Sequence, residues 1–100
     1  MAKNNNLKEI NRMKEIIVRI LKKHGIKKAG IFGSYVRGEQ KKNSDVDILI
    51  EPTKEMSLLD VVGIEFELKS KLKRDIDLIT YGGLYHLLKE KILNEEVRII

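Results

Sequence analysis

The stretch from Ile31 to Ile50 constrains the chain most: an apolar approach ends at Gly33-Ser34, ten residues intervene, and Asp45-Val46-Asp47 opens a second apolar run. Ile26 to Phe32 reads as a first strand. Asp45 to Ile50 reads as a second, buried strand, preceded by the turn-like Lys42-Asn43-Ser44 and stopped by Pro52. Gly33-Ser34 reads as a tight turn that opens a short helix over Tyr35 to Glu39, with Gly38 to Ser44 as a polar connection. A helix start offers unpaired N–H groups and a partial positive charge, which suit phosphate oxygens. Glycine lets the backbone come close to them, since it has no Cβ. Side chains two apart on a strand share a face, so Asp45 and Asp47 would point the same way, roughly 6.6 Å apart along the strand. Two carboxylates that close repel unless a cation or a proton relieves them. Hard oxygen ligands suit Mg²⁺, which is held by one or two carboxylates together with substrate phosphates. The stretch is therefore expected to be a nucleotide-phosphate and magnesium site.

The rest of the chain supplies helices and two further strand-like segments. From Leu7 to His24, apolar residues at Leu7, Ile10, Met13, Ile17, Ile20 and Leu21 fall at helical spacing, after a polar Met1–Asn6 expected to fray. Gly25 reads as the cap of that helix, and His24 as a helix-end residue rather than a ligand. Ser57 is an N-cap for a second long helix, with Asp60 three residues on. Leu58, Leu59, Val62, Phe66 and Leu72 are expected to form its buried face. Asp75 to Thr80 reads as a third strand, Gly82-Gly83 as a break and Leu84 to Leu93 as a third helix. Val97 to Ile100 is either a short edge strand or a partner-facing tail.

One hundred residues with 42% hydrophobic content point to one domain over 1–100, able to bury about two-thirds of its unfolded surface. With no cysteine, disulfide scaffolds and thiolate metal sites are excluded, and a cytoplasmic location is expected. No membrane span is expected either. Residues 1–30 hold nine Lys/Arg against two Glu, a balance of +7, while the remainder carries −2. The basic first segment could attract an acidic partner or nucleic acid, or could simply be a solvated helix face.

Alone, a Gly-Ser turn or an Asp-x-Asp pair would be an ordinary N-capped turn or two solvated carboxylates. Both at this spacing, with Arg37-Gly38 between them and an apolar strand after them, resemble the signature of the nucleotidyltransferase superfamily related to DNA polymerase β. The wording Gly33-Ser34-Tyr35-Val36-Arg37-Gly38-Glu39, then Ser44-Asp45-Val46-Asp47-Ile48-Leu49-Ile50, is closer still to one branch. It resembles the minimal nucleotidyltransferase (MNT) antitoxins that partner HEPN-domain toxins. Val36, where that branch often has a small residue, is a minor departure.

The resemblance implies an α/β (α+β) nucleotidyltransferase fold, a small mixed β-sheet backed by helices. It implies Mg²⁺-dependent transfer of AMP from ATP to a protein hydroxyl, a tyrosine of the HEPN toxin, which blocks the toxin's RNase activity. Ile76-Asp77-Leu78-Ile79 resembles the family's third acidic strand, making Asp77 the third catalytic and metal-binding carboxylate beside Asp45 and Asp47. Asp75 shares its strand face and competes for the role by sequence. Gly33 and Ser34 would bind the nucleotide phosphates, and Arg37 a phosphate or the partner. A hetero-oligomer with the toxin is expected, and nucleic acid is not expected as a direct ligand. Three other readings stay open: an antitoxin acting by complex formation alone, a transferase acting on a small molecule, and a nucleic-acid-binding protein.

Overall fold

Met13, Ile17, Ile20 and Leu21 recur at helical spacing and are buried, forming the inner stripe of α1 (Ala2–Lys23). The computed structural model describes the backbone of residues 2–33, 45–84 and 86–100, with side chains from residue 11 onward apart from 86–88. The expected short helix at Tyr35–Glu39, the connection after it, Ser34 and Arg37 therefore lie outside the described residues. Helix α1 begins at Ala2 rather than Leu7. Extending an existing helix gains one hydrogen bond for each residue fixed, so a polar first turn can join it. Gly25 ends it with φ 83°: its N–H donates to the Lys22 carbonyl and that of Ile26 to Leu21, both at 3.0 Å. This pair of bonds is the Schellman arrangement, which needs a left-handed residue at that place.

Among the described residues four strands follow: β1 (Ala29–Phe32), β2 (Val46–Ile50), β3 (Ile76–Thr80) and β4 (Val97–Arg98). Their order in the sheet is β3-β2-β1-β4. Strand β1 runs antiparallel to both β2 and β4, whereas β2 and β3 are parallel. A parallel pair needs a long crossover, here α2 (Leu58–Leu72). Ser57 caps α2 through its side chain to the Asp60 N–H, and Asp60 returns the bond to the Ser57 N–H, completing the expected capping box. A one-turn 3₁₀ segment (Tyr81–Gly83) and α3 (His86–Glu95) lead to β4. The final residues are an edge strand, with Ile99 N–H bonded to the Ala29 carbonyl at 3.0 Å and Ile99 and Ile100 packed on the core.

Strand alternation divides the sheet into two faces. Ala29, Ile31, Val46, Ile48, Ile50 and Ile76 pack against the buried stripes of α1 and α2. Gly30, Phe32, Asp47, Leu49 and Asp77 alternate with them and belong to the opposite face. Of the expected buried face of α2, Leu72 packs on the core and the other four residues do not. Ile64 and Leu68 are buried and Val61 and Leu72 pack on the core. Leu58, Leu59 and Phe66 are 79%, 81% and 64% exposed, and Val62 is at the surface. Helix α2 carries two apolar stripes that both satisfy helical periodicity. The one that packs, Val61-Ile64-Leu68-Leu72, runs the length of the helix, whereas the other stops at Phe66 and is continued by Lys69. Leu68→Ala should cost about 2–5 kcal/mol in denaturant unfolding, since its fully buried side chain would leave a cavity between α1, α2 and the sheet.

Glu67 ties α2 to the end of α1, accepting from Lys23 and meeting His24 Nε2 at 2.8 Å. These bonds, Lys23 first, hold its carboxyl below the ordinary value of 4.5. A depressed folded-state pKa stabilises above the unfolded value and is lost as pH falls through the folded one. The Tm difference between wild type and Glu67→Gln should therefore be open above pH 4.5 and close on further acidification. Among the described residues, no helix is long and apolar enough to cross a membrane.

Candidate active site

The carboxyl end of β1 meets the amino ends of β2 and β3 at one end of the sheet, because β1 runs opposite to both. There the register sets Phe32 opposite Asp47, and Asp47 opposite Asp77. Neighbouring strands lie about 4.8 Å apart, so the two aspartates leave adjacent strands side by side on the face turned away from α1 and α2. Asp45 immediately precedes β2, two residues before Asp47. Asp47 is half-buried, whereas Asp45 and Asp77 are exposed. The register selects Asp77 rather than Asp75 as the neighbour of Asp47; Asp75 precedes β3, and its carbonyl accepts the Val46 N–H at 3.0 Å.

Gly33 leaves β1 in a left-handed conformation, φ 83°, and its backbone lies against the Asp47 carboxylate. A Cβ built at Gly33 would collide with Asp47 Oδ2 and sit 3.0 Å from Cγ. Glycine is required here twice, for its conformation and for its missing side chain. The start of the turn and Asp47 are thus packed together. Ser34 and Arg37, expected to bind phosphate, are beyond the described residues.

Among the described residues, no three His, Cys, Asp or Glu side chains converge closely enough to hold a metal ion by themselves. The acidic set at this end, among the described residues, is the Asp47–Asp77 pair with Asp45 just ahead of it. A pair of hard carboxylates is the donor set magnesium uses when substrate phosphates supply its remaining ligands. By donor chemistry, the residues fit that ion.

A fourth carboxylate lies on the same face. Glu96 reaches over Gly30, where a Cβ would be 2.6 Å from Glu96 Cδ, and accepts a hydrogen bond from the Tyr81 hydroxyl. Burial, and then Glu96, push the Tyr81 hydroxyl well above its ordinary pKa, so it stays a donor. Lys28 Nζ lies 4.4 Å from the centre of the Tyr81 ring. Neither Tyr81 nor Glu96 is among the expected site residues. The available signal was Gly30 inside an apolar strand, a mark of close approach by another group.

The sequence model for the family described as Polymerase beta, Nucleotidyltransferase matches residues 15–100. The chain belongs to that family. A candidate protein adenylyltransferase of Methanocaldococcus jannaschii is 50% identical over 91 residues, covering 91% of this chain and 98% of that protein. The protein adenylyltransferase MntA of Thermococcus cleftensis is 39% identical over 75 residues, covering 75% and 76% of the two. Among solved structures, a toxin–antitoxin with AMP-PNP superposes with a TM-score of 0.77 at 22% identity, over 87% of this chain and 72% of that one. A complex of a tri-AMPylated Shewanella oneidensis HEPN toxin with its MNT antitoxin gives 0.72 at 17%, over 90% and 71%. At these identities the two structures show a shared fold, a mixed sheet backed by helices, as expected.

Proposed function

We propose that this chain, as a single minimal nucleotidyltransferase domain over 1–100, transfers AMP from ATP to a tyrosine hydroxyl of a partner HEPN-domain toxin and so acts as its antitoxin. The observation that carries the reading is the in-register Asp47–Asp77 pair at one end of the sheet, with Asp47 packed against left-handed Gly33. The relatives named as protein adenylyltransferases support the reaction class. Complexes of the same fold, one holding an ATP analogue and one a HEPN toxin, support the nucleotide and the partner. The cytoplasm is the proposed location.

In this reading Asp47 and Asp77, with Asp45 just ahead of them, would hold magnesium together with oxygens of the triphosphate, and the ion would supply charge neutralisation there. Gly33 and Ser34 bring backbone N–H groups to the phosphates, and Arg37 adds a cation. The acceptor oxygen forms a bond to the α-phosphorus as the bond to pyrophosphate breaks. One carboxylate of the Asp47–Asp77 pair takes the acceptor's proton. Holding the acceptor in line with the leaving oxygen supplies much of the remaining acceleration.

Incubating the protein with ATP, Mg²⁺ and purified HEPN toxin should raise the toxin's intact mass by whole AMP units, and peptide mapping should place them on tyrosine. An unchanged toxin mass would refute the proposal. Neutralisation by complex formation alone has one observation in its favour, the lack of a convergent three-ligand cluster among the described residues. It predicts that Asp45→Asn plus Asp47→Asn still neutralises the toxin, whereas the transferase reading predicts that neutralisation is lost.

A further inference from the structure

Strand β3, which carries Asp77, lies at an edge of the sheet; among the described residues β2 is its only neighbouring strand. The Asp75 carbonyl accepts the Val46 N–H at 3.0 Å, and this fixes the alternation of the parallel ladder. Asp75, Asp77 and Ile79 turn their backbone groups toward β2, while Ile76, Leu78 and Thr80 turn theirs outward. Outward groups of an edge strand have no ladder partner and must find water or another acceptor. At Leu78 the acceptor is protein: its N–H donates to Glu65 Oε1 at 3.2 Å, in a half-buried position. Glu65 stands on α2 between the buried Ile64 and Leu68, so this acceptor has a fixed support. The bond falls on the peptide unit that joins Asp77 to Leu78. The carbonyl of that unit faces β2 and its N–H is held by α2, so it is gripped from both sides.

We propose that Glu65 is a positioning residue for Asp77: through the Leu78 N–H it fixes the backbone that sets the Asp77 carboxylate beside Asp47. The inference rests on the reading of Asp77 as a metal-holding carboxylate. Asp47 has no need of such a device, because β2 is flanked by β1 on one side and β3 on the other. Asp77 is exposed on a strand with a single neighbour, so its backbone is the less constrained of the pair. Helix α2 packs on the face of the sheet opposite to Asp77, so Glu65 acts through the main chain and not on the substrate. The other acidic groups of α2 are engaged elsewhere, Asp60 in the capping box and Glu67 with Lys23 and His24. A carboxylate accepting a backbone N–H makes a stronger bond than a neutral acceptor. Removing such support from behind a metal-holding group costs about 10–100-fold in metal affinity or activity.

Two variants of the full chain test this. Glu65→Ala removes the acceptor, whereas Glu65→Gln keeps an amide oxygen able to take the same bond. Circular dichroism should stay native in both; if it does not for Glu65→Ala, Glu65→Met is judged in its place. Amide exchange at Leu78, followed by NMR, should quicken in Glu65→Ala and stay near the wild-type rate in Glu65→Gln. Mg²⁺ would then be titrated in the presence of an ATP analogue whose α and β phosphates are bridged by carbon, with the amide signals of Asp47 and Asp77 as the readout. Half-saturation should need about tenfold more Mg²⁺ in Glu65→Ala. AMP transfer to purified HEPN toxin at sub-saturating Mg²⁺ should fall about tenfold in that variant, and Glu65→Gln should keep most of the rate. Partial unfolding would scale the rate without moving the Mg²⁺ midpoint. Glu67→Gln, which loosens α2 from α1, should leave that midpoint in place. A wild-type midpoint and rate in Glu65→Ala, with the wild type transferring AMP, would overturn the proposal alone. So would Glu65→Gln behaving like Glu65→Ala, because lost charge and not the lost bond would then be the cause. No transfer by the wild type would overturn the reading of the site, and the proposal with it.

Discussion

Asp47→Asn is expected to reduce AMP transfer by at least about 10²-fold while the protein still folds. The amide keeps the shape of the carboxylate and can still pack against Gly33, so circular dichroism should remain native. What it removes is the negative charge at the point where β1, β2 and β3 bring Asp47 opposite Asp77. Rates should be compared at saturating ATP and acceptor, so that the loss is read in kcat rather than in binding. Asp77→Asn should also lower kcat. A full rate for either variant would remove that residue from the chemistry.

Gly33→Ala is expected to damage stability and activity together, and Gly25→Ala only stability. Both glycines have φ 83°, a conformation that costs an L-residue about 1–2 kcal/mol. For a domain of this size each kcal/mol lowers Tm by about 4–8 °C. The two sites differ in what a Cβ would meet. At Gly25 it would be 3.6 Å from Thr53 Cγ2, ordinary contact, whereas at Gly33 it would collide with the Asp47 carboxylate. Thermal melts should therefore fall further for Gly33→Ala, and only that variant should lose transfer beyond its loss of folded protein. Equal activity in the two variants would show that the packing of Gly33 on Asp47 has no catalytic consequence.

The juxtaposition of Gly33, Asp47 and Asp77 was legible in the sequence because its parts are local, whereas Ser34 and Arg37 lie outside the described residues. A turn glycine, a buried strand with acidic residues at its start and a second acidic strand each announce themselves within six or so residues. Their meeting at one end of the sheet follows from one antiparallel and one parallel pairing. The capping box at Ser57 and the end of α1 at Gly25 are likewise local, and both form as expected. Three features were not legible. Periodicity allows either apolar stripe of α2 to face inward, and only packing against α1 and the sheet selects Ile64 and Leu68. The Tyr81–Glu96 contact joins the turn after β3 to the residue before β4, and no spacing rule connects them. The start of α1 was placed too late, because a polar first turn gives no apolar pattern to read.

The central claim, that this chain is a nucleotidyltransferase acting through Asp45, Asp47 and Asp77, is tested most directly with ATP labelled at either the α or the γ phosphate. Protein, Mg²⁺, purified HEPN toxin and each label would be combined, and protein-bound label counted for wild type and for Asp47→Asn. Label arriving only from the α position, and lost in the variant, is the predicted result. Label from the γ position would mean phosphoryl transfer, and α-label undiminished in Asp47→Asn would place the chemistry elsewhere; either contradicts the account.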